Sequence, residues 1–240
     1  MIYLSGVSNP PLRAVAQRRG DLGLLITPDT GYRREHLDLF KAWAADNACF
    51  AQGARFSLDR FLGWLDGLPR EGCLFAPAPD VVGDALQTYI RSAPVLPTIR
   101  QLGFRAALVA QEGLRYDEAT DTLRIGMRVP GVAAWWDTGI EVPWAAFDVL
   151  FLGGSTSWKV SHPSTWWLAA ACRRHGKWIH CGRVNSFDRI EYAAGIGCDS
   201  ADGTFLAFGP DKNLPQLVSW LDRLAANADD LAAQAALVGI

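Results

Sequence analysis

The stretch WIHCGRVNSFDRIEYAAGIGCDSADGT, residues 178–204, decides the fold. It opens on the short apolar run WIHCG (178–182). It then crosses the polar residues Arg183 to Ser186 and enters SFDRIEYAAGIG, an amphipathic run that ends at glycines. A very short strand, Cys198 to Ala201, follows and breaks at Asp202-Gly203. This is a strand, a helix and a second strand, each apolar where a covered sheet requires it. Two carboxylates sit three apart at the second strand. Asp199 falls inside it as a supporting group, and Asp202 falls at its end.

The same rhythm extends in both directions. Apolar runs lie at 2–4 (IYL), 22–27 (LGLLIT), 73–76 (CLFA), 106–110 (AALVA), 148–153 (DVLFLG) and 204–208 (TFLAF). Amphipathic stretches separate them: PLRAVAQRR, SLDRFLGWLDGL, VVGDALQTYIRS and PSTWWLAAACRRHG. A last helix, LPQLVSWLDRLAAN, carries Leu214, Leu217, Val218, Leu221 and Leu224 at helical spacing. ADDLAAQAALVGI reads as a helix or a frayed tail. Repeated β-then-α units predict an α/β fold, a (β/α)8 TIM-like barrel in one domain over residues 1–240. No GxGxxG follows the first strand, which weighs against an open dinucleotide-binding sheet. Residues 114–143 break the rhythm and read as a small β-hairpin and loop inserted between the fourth and fifth of these strands.

Composition narrows the function classes. The chain has 240 residues, 50% hydrophobic and 20% charged, with a formal net charge of −2. No general basic character announces a nucleic-acid partner, so any such site has to be a local patch. Ten tryptophans are many, and they serve as core filling or as stacking surfaces. Five cysteines stand at 49, 73, 172, 181 and 198, with no CxxC pair. That argues against a disulfide framework and a structural zinc site, and for buried reduced thiols at Cys73, Cys181 and Cys198. The chain starts directly on a strand and holds no apolar run of transmembrane length, so a cytoplasmic protein without a membrane role is expected.

Barrel active sites form where strands end, because the following loops converge there. The strand ends carry Asp29-Thr30-Gly31-Tyr32, Asp80 in APAPDVVGD, Gln111-Glu112, Gly153-Gly154, Arg183 and Asp202. Each aspartate alone has an ordinary reading as a turn or helix cap. Gathered at one rim, they point to a pocket. Two carboxylates across a barrel mouth suit glycosyl chemistry, one attacking the sugar and the other exchanging a proton with the base. Paired glycines let a flat ligand approach the backbone.

In order and position this set resembles the tRNA-guanine transglycosylases. It is more similar still to their phage and bacterial relatives of the DpdA type, which insert 7-deazaguanines into DNA. The resemblance runs from about residue 22 to 211. It implies Asp29 as general acid/base with Tyr32 beside it. Asp80, Gln111, Gly153 and Gly154 would bind the base, Asp202 in GCDSAD would be the nucleophile, and Asp199 would stand behind it. The tRNA enzymes carry a CxCxxC…H zinc subdomain after the nucleophile. This chain has none, which shifts the expected substrate from tRNA to DNA, double- or single-stranded.

The implied reaction exchanges guanine in DNA for a 7-deazaguanine base such as preQ0. It proceeds through a covalent Asp202–deoxyribose intermediate and needs no metal or other cofactor. A phage-encoded protein of this kind would work in the host cytoplasm. The alternatives are a tRNA-guanine transglycosylase, a phosphosugar-type TIM-barrel enzyme holding phosphate at its last strands, and a DNA-binding barrel without chemistry. Trp158, Lys159, His162 and Arg183 are candidate nucleic-acid contacts, with a core Trp, a solvated Lys and a structural salt bridge as the plain readings. The cluster Arg173, Arg174, His175 and Lys177 suits a helix C-terminus. Trp135-Trp136 suits either a wedge into DNA or packing of the insertion. His180, inside an apolar strand, reads as a satisfied core or rim histidine.

Overall fold

The computed structural model describes residues 1–30, 34–128, 135–161 and 163–237. Its strands are β1 (Ile2–Ser5), β2 (Leu22–Ile26), β3 (Trp43–Ala45), β4 (Ala76–Pro77), β5 (Ala106–Ala110), β6 (Leu114–Asp117), β7 (Thr122–Arg128), β8 (Trp135–Val142), β9 (Val149–Leu152), β10 (Trp178–Cys181) and β11 (Ser200–Gly203). Eight of them form one parallel sheet in the order β3-β2-β1-β11-β10-β9-β5-β4. A parallel bridge from Trp43 to Cys73 brings the two edges together. Leu74 N–H donates to the Trp43 carbonyl at 2.7 Å and Ala45 N–H to the Phe75 carbonyl at 3.1 Å. The sheet thus rolls into a (β/α)8 barrel, as expected.

Two strands differ from the expected set. β3 was not anticipated. TFLAF forms no strand: Phe205–Ala207 is a single 3-10 turn, with the Phe205 ring stacked on Trp220 at 4.5 Å. The last strand also starts two residues later than CDSA, so Asp202 lies within β11, opposite Leu4 of β1. The insertion sits between AALVA and DVLFLG as anticipated. With β3 counted, these are the fifth and sixth barrel strands. It is an antiparallel sheet of three strands in the order β6-β7-β8.

The inside of the barrel is narrow and apolar. Leu4, Leu25, Ala44, Phe75, Ala107 and Val149 form one buried cluster, with Phe151 and Trp178 packed against it. Their sequence neighbours face outward and build a larger core under the helices. Those helices start where the sequence supplies caps. Asn9 accepts from Leu12 N–H, Ser57 from Arg60 N–H and Asp84 from Gln87 N–H. Each cap is worth about 1 kcal/mol. The helix Pro210–Ala226 buries Leu214, Leu217, Trp220, Leu221 and Leu224, and Ala228–Leu237 continues as a helix.

Most of the basic cluster fastens the insertion and the turn that follows it. Arg174 donates to the Tyr116 hydroxyl at 2.6 Å, and the His175 ring stacks on Trp144 at 4.0 Å. Lys177 donates to the Phe147 carbonyl at 2.9 Å. Among the described residues no helix is long and apolar enough to cross a membrane.

Candidate active site at the barrel mouth

The C-terminal ends of the parallel strands meet at one rim. Asp202 of β11 stands at this rim with its side chain largely buried. Its Oδ1 lies 3.0 Å from His180 Nε2, and the backbone N–H of Arg183 reaches toward Oδ2 at 3.4 Å. His180 is fully buried. Its ring sits 4.7 Å from Phe75 and 4.5 Å from Phe151, and its Nδ1 is 2.9 Å from Ser200 Oγ. Ser200 Oγ in turn accepts from the Trp178 indole N–H at 2.9 Å. A line of hydrogen bonds therefore rises through the apolar interior and ends on Asp202.

A second carboxyl shares this space, and it is Asp46, at the end of the unanticipated β3. Asp46 N–H donates to the Ile26 carbonyl at 2.7 Å, and its Oδ1 accepts from Ala48 N–H at 2.7 Å. Burial pushes the Asp46 carboxyl up to about 6, against one hydrogen bond that lowers it. The negative charges of Asp202 and Asp80 push it further, and the Arg183 guanidinium opposes them. Ala48 and Arg183 both hold left-handed backbone, at φ of 58° and 57°. Such conformations cost non-glycine residues about 1–3 kcal/mol and gather at functional sites. Here they flank the two carboxyls. The Arg183 guanidinium lies 4.8 Å from the centre of the Phe50 ring, which is 69% exposed.

A third group joins four strand ends. Asn47 donates to the Ala78 carbonyl at 2.9 Å and reaches Asp80 Oδ1 at 3.4 Å. Asp80 Oδ2 accepts from Gln111 Nε2 at 2.9 Å. Gln111 Oε1 accepts from Gly83 N–H at 2.9 Å and Gly154 N–H at 3.0 Å. Burial pushes the Asp80 carboxyl up, while Asn47 and Gln111 draw it back. Asp80 and Gln111, expected together, do meet. Gln111 already occupies the backbone N–H of Gly154 that a ligand was expected to use.

The paired glycines have a packing reason. A Cβ on Gly153 would stand 2.6 Å from Val109 Cγ1, and one on Gly154 2.4 Å from Trp158 Cε3. Trp158 is consequently buried against Gly154 and is no stacking surface. Lys159 is likewise buried, at 1% exposure, with no hydrogen-bond partner for its ammonium among the described residues. Burial pulls its ammonium below the ordinary lysine range. Neither is placed as a surface contact to nucleic acid. Arg183 is exposed and remains available for one.

Asp29 does not join the cluster. Its carboxylate accepts from Gln52 Nε2 at 2.7 Å and pairs with Arg60 at 3.2 Å, with the side chain 48% exposed. Asp199 is corrected as a pocket residue. Three residues along a strand span about 10 Å, and Asp199 lies at the opposite, N-terminal end of the barrel. There its carboxylate accepts from Ile179 N–H at 2.7 Å, and its carbonyl accepts from Ile2 N–H at 2.9 Å. It ties β1, β10 and β11 together at the floor. Tyr32 and His162 lie outside the described residues.

Asp46, Asn47 and Phe50, which follow the unanticipated strand, had no place in the expected site, and His180 was expected as a satisfied core or rim histidine rather than as a partner of Asp202. One signal was available: Asp46-Asn47 directly follows the apolar Trp43-Ala44-Ala45, the same pattern that singled out the other strand ends.

No protein-family model matches the chain, and no curated protein matches it. Among solved structures it is similar to the YkuI protein of Bacillus subtilis, with an EAL domain, in complex with substrate c-di-GMP and calcium. The match covers 91% of this chain at 11% identity with a TM-score of 0.36. It spans about half of that chain, 47%. A likeness of this size carries no argument about function.

Proposed function

We propose that this chain is a base-exchange transglycosylase that replaces guanine in DNA with a 7-deazaguanine base. One observation carries the reading: two mouth carboxyls lie in contrasting settings. Asp202 accepts from His180 and a backbone N–H. Asp46 beside it is pushed up to about 6, so below that pH it holds a proton that an ordinary aspartate has already lost. Carboxyls whose environments separate them in this way divide into a nucleophile and an acid/base.

A target nucleotide flipped from the stack would enter the mouth. An oxygen lone pair of Asp202 forms a bond to C1′. The C1′–N9 bond breaks and its electron pair passes to guanine, whose N9 takes the proton of Asp46. In the return step Asp46, now a carboxylate, takes the N9 proton of the incoming 7-deazaguanine. N9 bonds to C1′, the bond from C1′ to Asp202 breaks, and its pair returns to the carboxylate. The exposed Phe50 ring, backed by Arg183, offers a flat surface on which a base can stack.

Labelled guanine, incubated with the protein and either duplex DNA, single-stranded DNA or tRNA, tests the reading and the substrate together. Asp202→Asn abolishes exchange and the trapped covalent adduct. Asp46→Asn lowers exchange by about 10²–10⁴-fold, the usual share of general acid–base catalysis, whereas Asp29→Asn leaves most of it. Exchange that survives Asp202→Asn refutes the nucleophile. Loss in Asp29→Asn with retention in Asp46→Asn returns the acid/base role to Asp29. Exchange confined to tRNA moves the substrate to RNA.

A further inference from the structure

We infer that His180 is a positioning residue. The line Trp178–Ser200–His180 fixes one imidazole tautomer, pins Oδ1 of Asp202 and leaves Oδ2 as the attacking oxygen. This rests on the transglycosylase reading only for the word attacking; the tautomer and the pinned oxygen follow from geometry.

The direction of each bond is dictated by chemistry. An indole nitrogen donates and never accepts. The 2.9 Å contact from Trp178 therefore occupies an acceptor site on Ser200 Oγ. The serine proton is then free to point at His180 Nδ1, 2.9 Å away. The Asp202 carboxylate can only accept, so Nε2 carries the hydrogen and at 3.0 Å donates to Oδ1; in the neutral ring Nδ1 is then left to accept from the serine. Every group in the line is satisfied by this single arrangement. Phe75 and Phe151 wall the ring at 4.7 and 4.5 Å, which prevents it from turning over.

Gly182 completes the device from the other side. A Cβ there would stand 2.5 Å from Phe151 Cε2 and 3.3 Å from Asp202 Oδ1. The missing side chain is what lets the ring wall and the carboxylate share this space. Oδ2, by contrast, meets among the described residues only the 3.4 Å approach of Arg183 N–H. An oxygen with one weak donor keeps a lone pair for a carbon electrophile, while its partner holds the plane of the carboxylate. Attack by Oδ2 forms the bond to C1′ as the C1′–N9 pair leaves with the base. Oδ1 stays on His180 throughout.

Two measurements test this. The first is a ¹⁵N–¹H long-range NMR spectrum of the intact protein, which reads the tautomer without any substrate. The Nε2–H pattern for His180 is expected, and its conversion to a mixed pattern in Ser200→Ala. An Nδ1–H pattern in the wild type overturns the inference. The second compares His180→Gln, whose amide can still donate to Oδ1, with His180→Leu, which fills the space and donates nothing. The expectation is a drop of about 10²-fold in kcat for Leu, the scale of a misplaced reacting group. Gln should stay within about 10-fold of wild type, since one neutral hydrogen bond is kept. KM for the free base should be unchanged in both. A purely structural histidine would instead lower Tm and leave kcat of the folded fraction intact, and that result overturns the inference. So does a Gln variant no better than Leu. If the wild type exchanges no base with any nucleic acid, the transglycosylase reading fails while the tautomer still decides the rest.

Discussion

Replacing Asp46 with Asn should make the protein more stable while it removes activity. The carboxyl is raised from an ordinary 3.8 to about 6. At about 1.36 kcal/mol for each tenfold change in proton affinity, that displacement is worth about 3 kcal/mol. An acid raised on folding binds its proton more tightly in the folded chain. Its contribution is present in full below the unfolded value and is lost as pH rises through about 6. At pH 7 the folded protein therefore carries an ionised Asp46 against burial and the charges of Asp202 and Asp80. Asn keeps an oxygen for the Ala48 N–H and carries no charge. Denaturant unfolding from about pH 3 to 7.5 should show wild type and Asp46→Asn nearly equal at the acid end. The variant should gain up to about 3 kcal/mol at the neutral end, or roughly 6–12 °C in Tm for a chain of this size. An Asp202→Asn background should shrink the gain, because one of the charges raising Asp46 is gone. A variant less stable than wild type at pH 7, or a gain independent of pH, would refute the electrostatic coupling of the two carboxyls.

Adduct formation with DNA should slow about tenfold per pH unit above about 6 as Asp46 loses its proton; rapid-quench trapping measures this, and Asp46→Asn should flatten the profile. Phe75→Ala opens a cavity in the barrel interior and should cost about 3–5 kcal/mol in chemical denaturation. Gly154→Ala meets Trp158 at 2.4 Å with φ at 48°, so a loss of at least about 1–3 kcal/mol is expected from overpacking alone. Phe50→Ala removes an exposed side chain and should leave Tm within about 2 °C, because surface changes rarely exceed about 0.5 kcal/mol. The same variant should weaken nucleic-acid binding by about 1–3 kcal/mol in a fluorescence titration, the usual value of a stacked base.

The barrel was legible in the sequence because most of its strands are short apolar runs bounded by polar loops, such as AALVA and DVLFLG. β3 was not legible. Trp43-Ala44-Ala45 is three residues long and sits in KAWAADNACFAQ, where alanine favours helix. What makes it a strand is tertiary. Gly72 and Phe75 of the opposite sheet edge supply carbonyls to Trp43 and Ala45, and no local pattern reports that. TFLAF, read as a strand, is instead a turn in which Leu206 is buried and the Phe205 ring stacks on Trp220, while Phe208 is exposed. With β3 missing, the aspartate at its end was hidden as well. Asp29 and Asp46 look alike in sequence, each following an apolar run. They part because the turn after β2 closes on itself: Thr27 N–H donates to Thr30 Oγ1 at 2.8 Å and Thr30 N–H to the Thr27 carbonyl at 3.1 Å. From that turn Asp29 reaches Gln52 and Arg60 at the surface.

Burial was the other source of error, and it acted in both directions. Lys159 reads as a phosphate contact or a solvated lysine, both at the surface because lysine rarely lies inside, yet its side chain is buried. Asp199 and Asp202 differ by three positions, and strand geometry alone puts one at the floor and the other at the mouth. His180 reads as a satisfied core or rim histidine, and by exposure and hydrogen bonding it is a core one. What the apolar run could not reveal is the acceptor satisfying it. Pairing in register sets His180 opposite Ser200, which places Asp202 two residues further along the same face. A side chain buried to satisfy its own polar atoms thereby also orients the carboxylate at the mouth, so for His180 the structural and functional readings describe one contact.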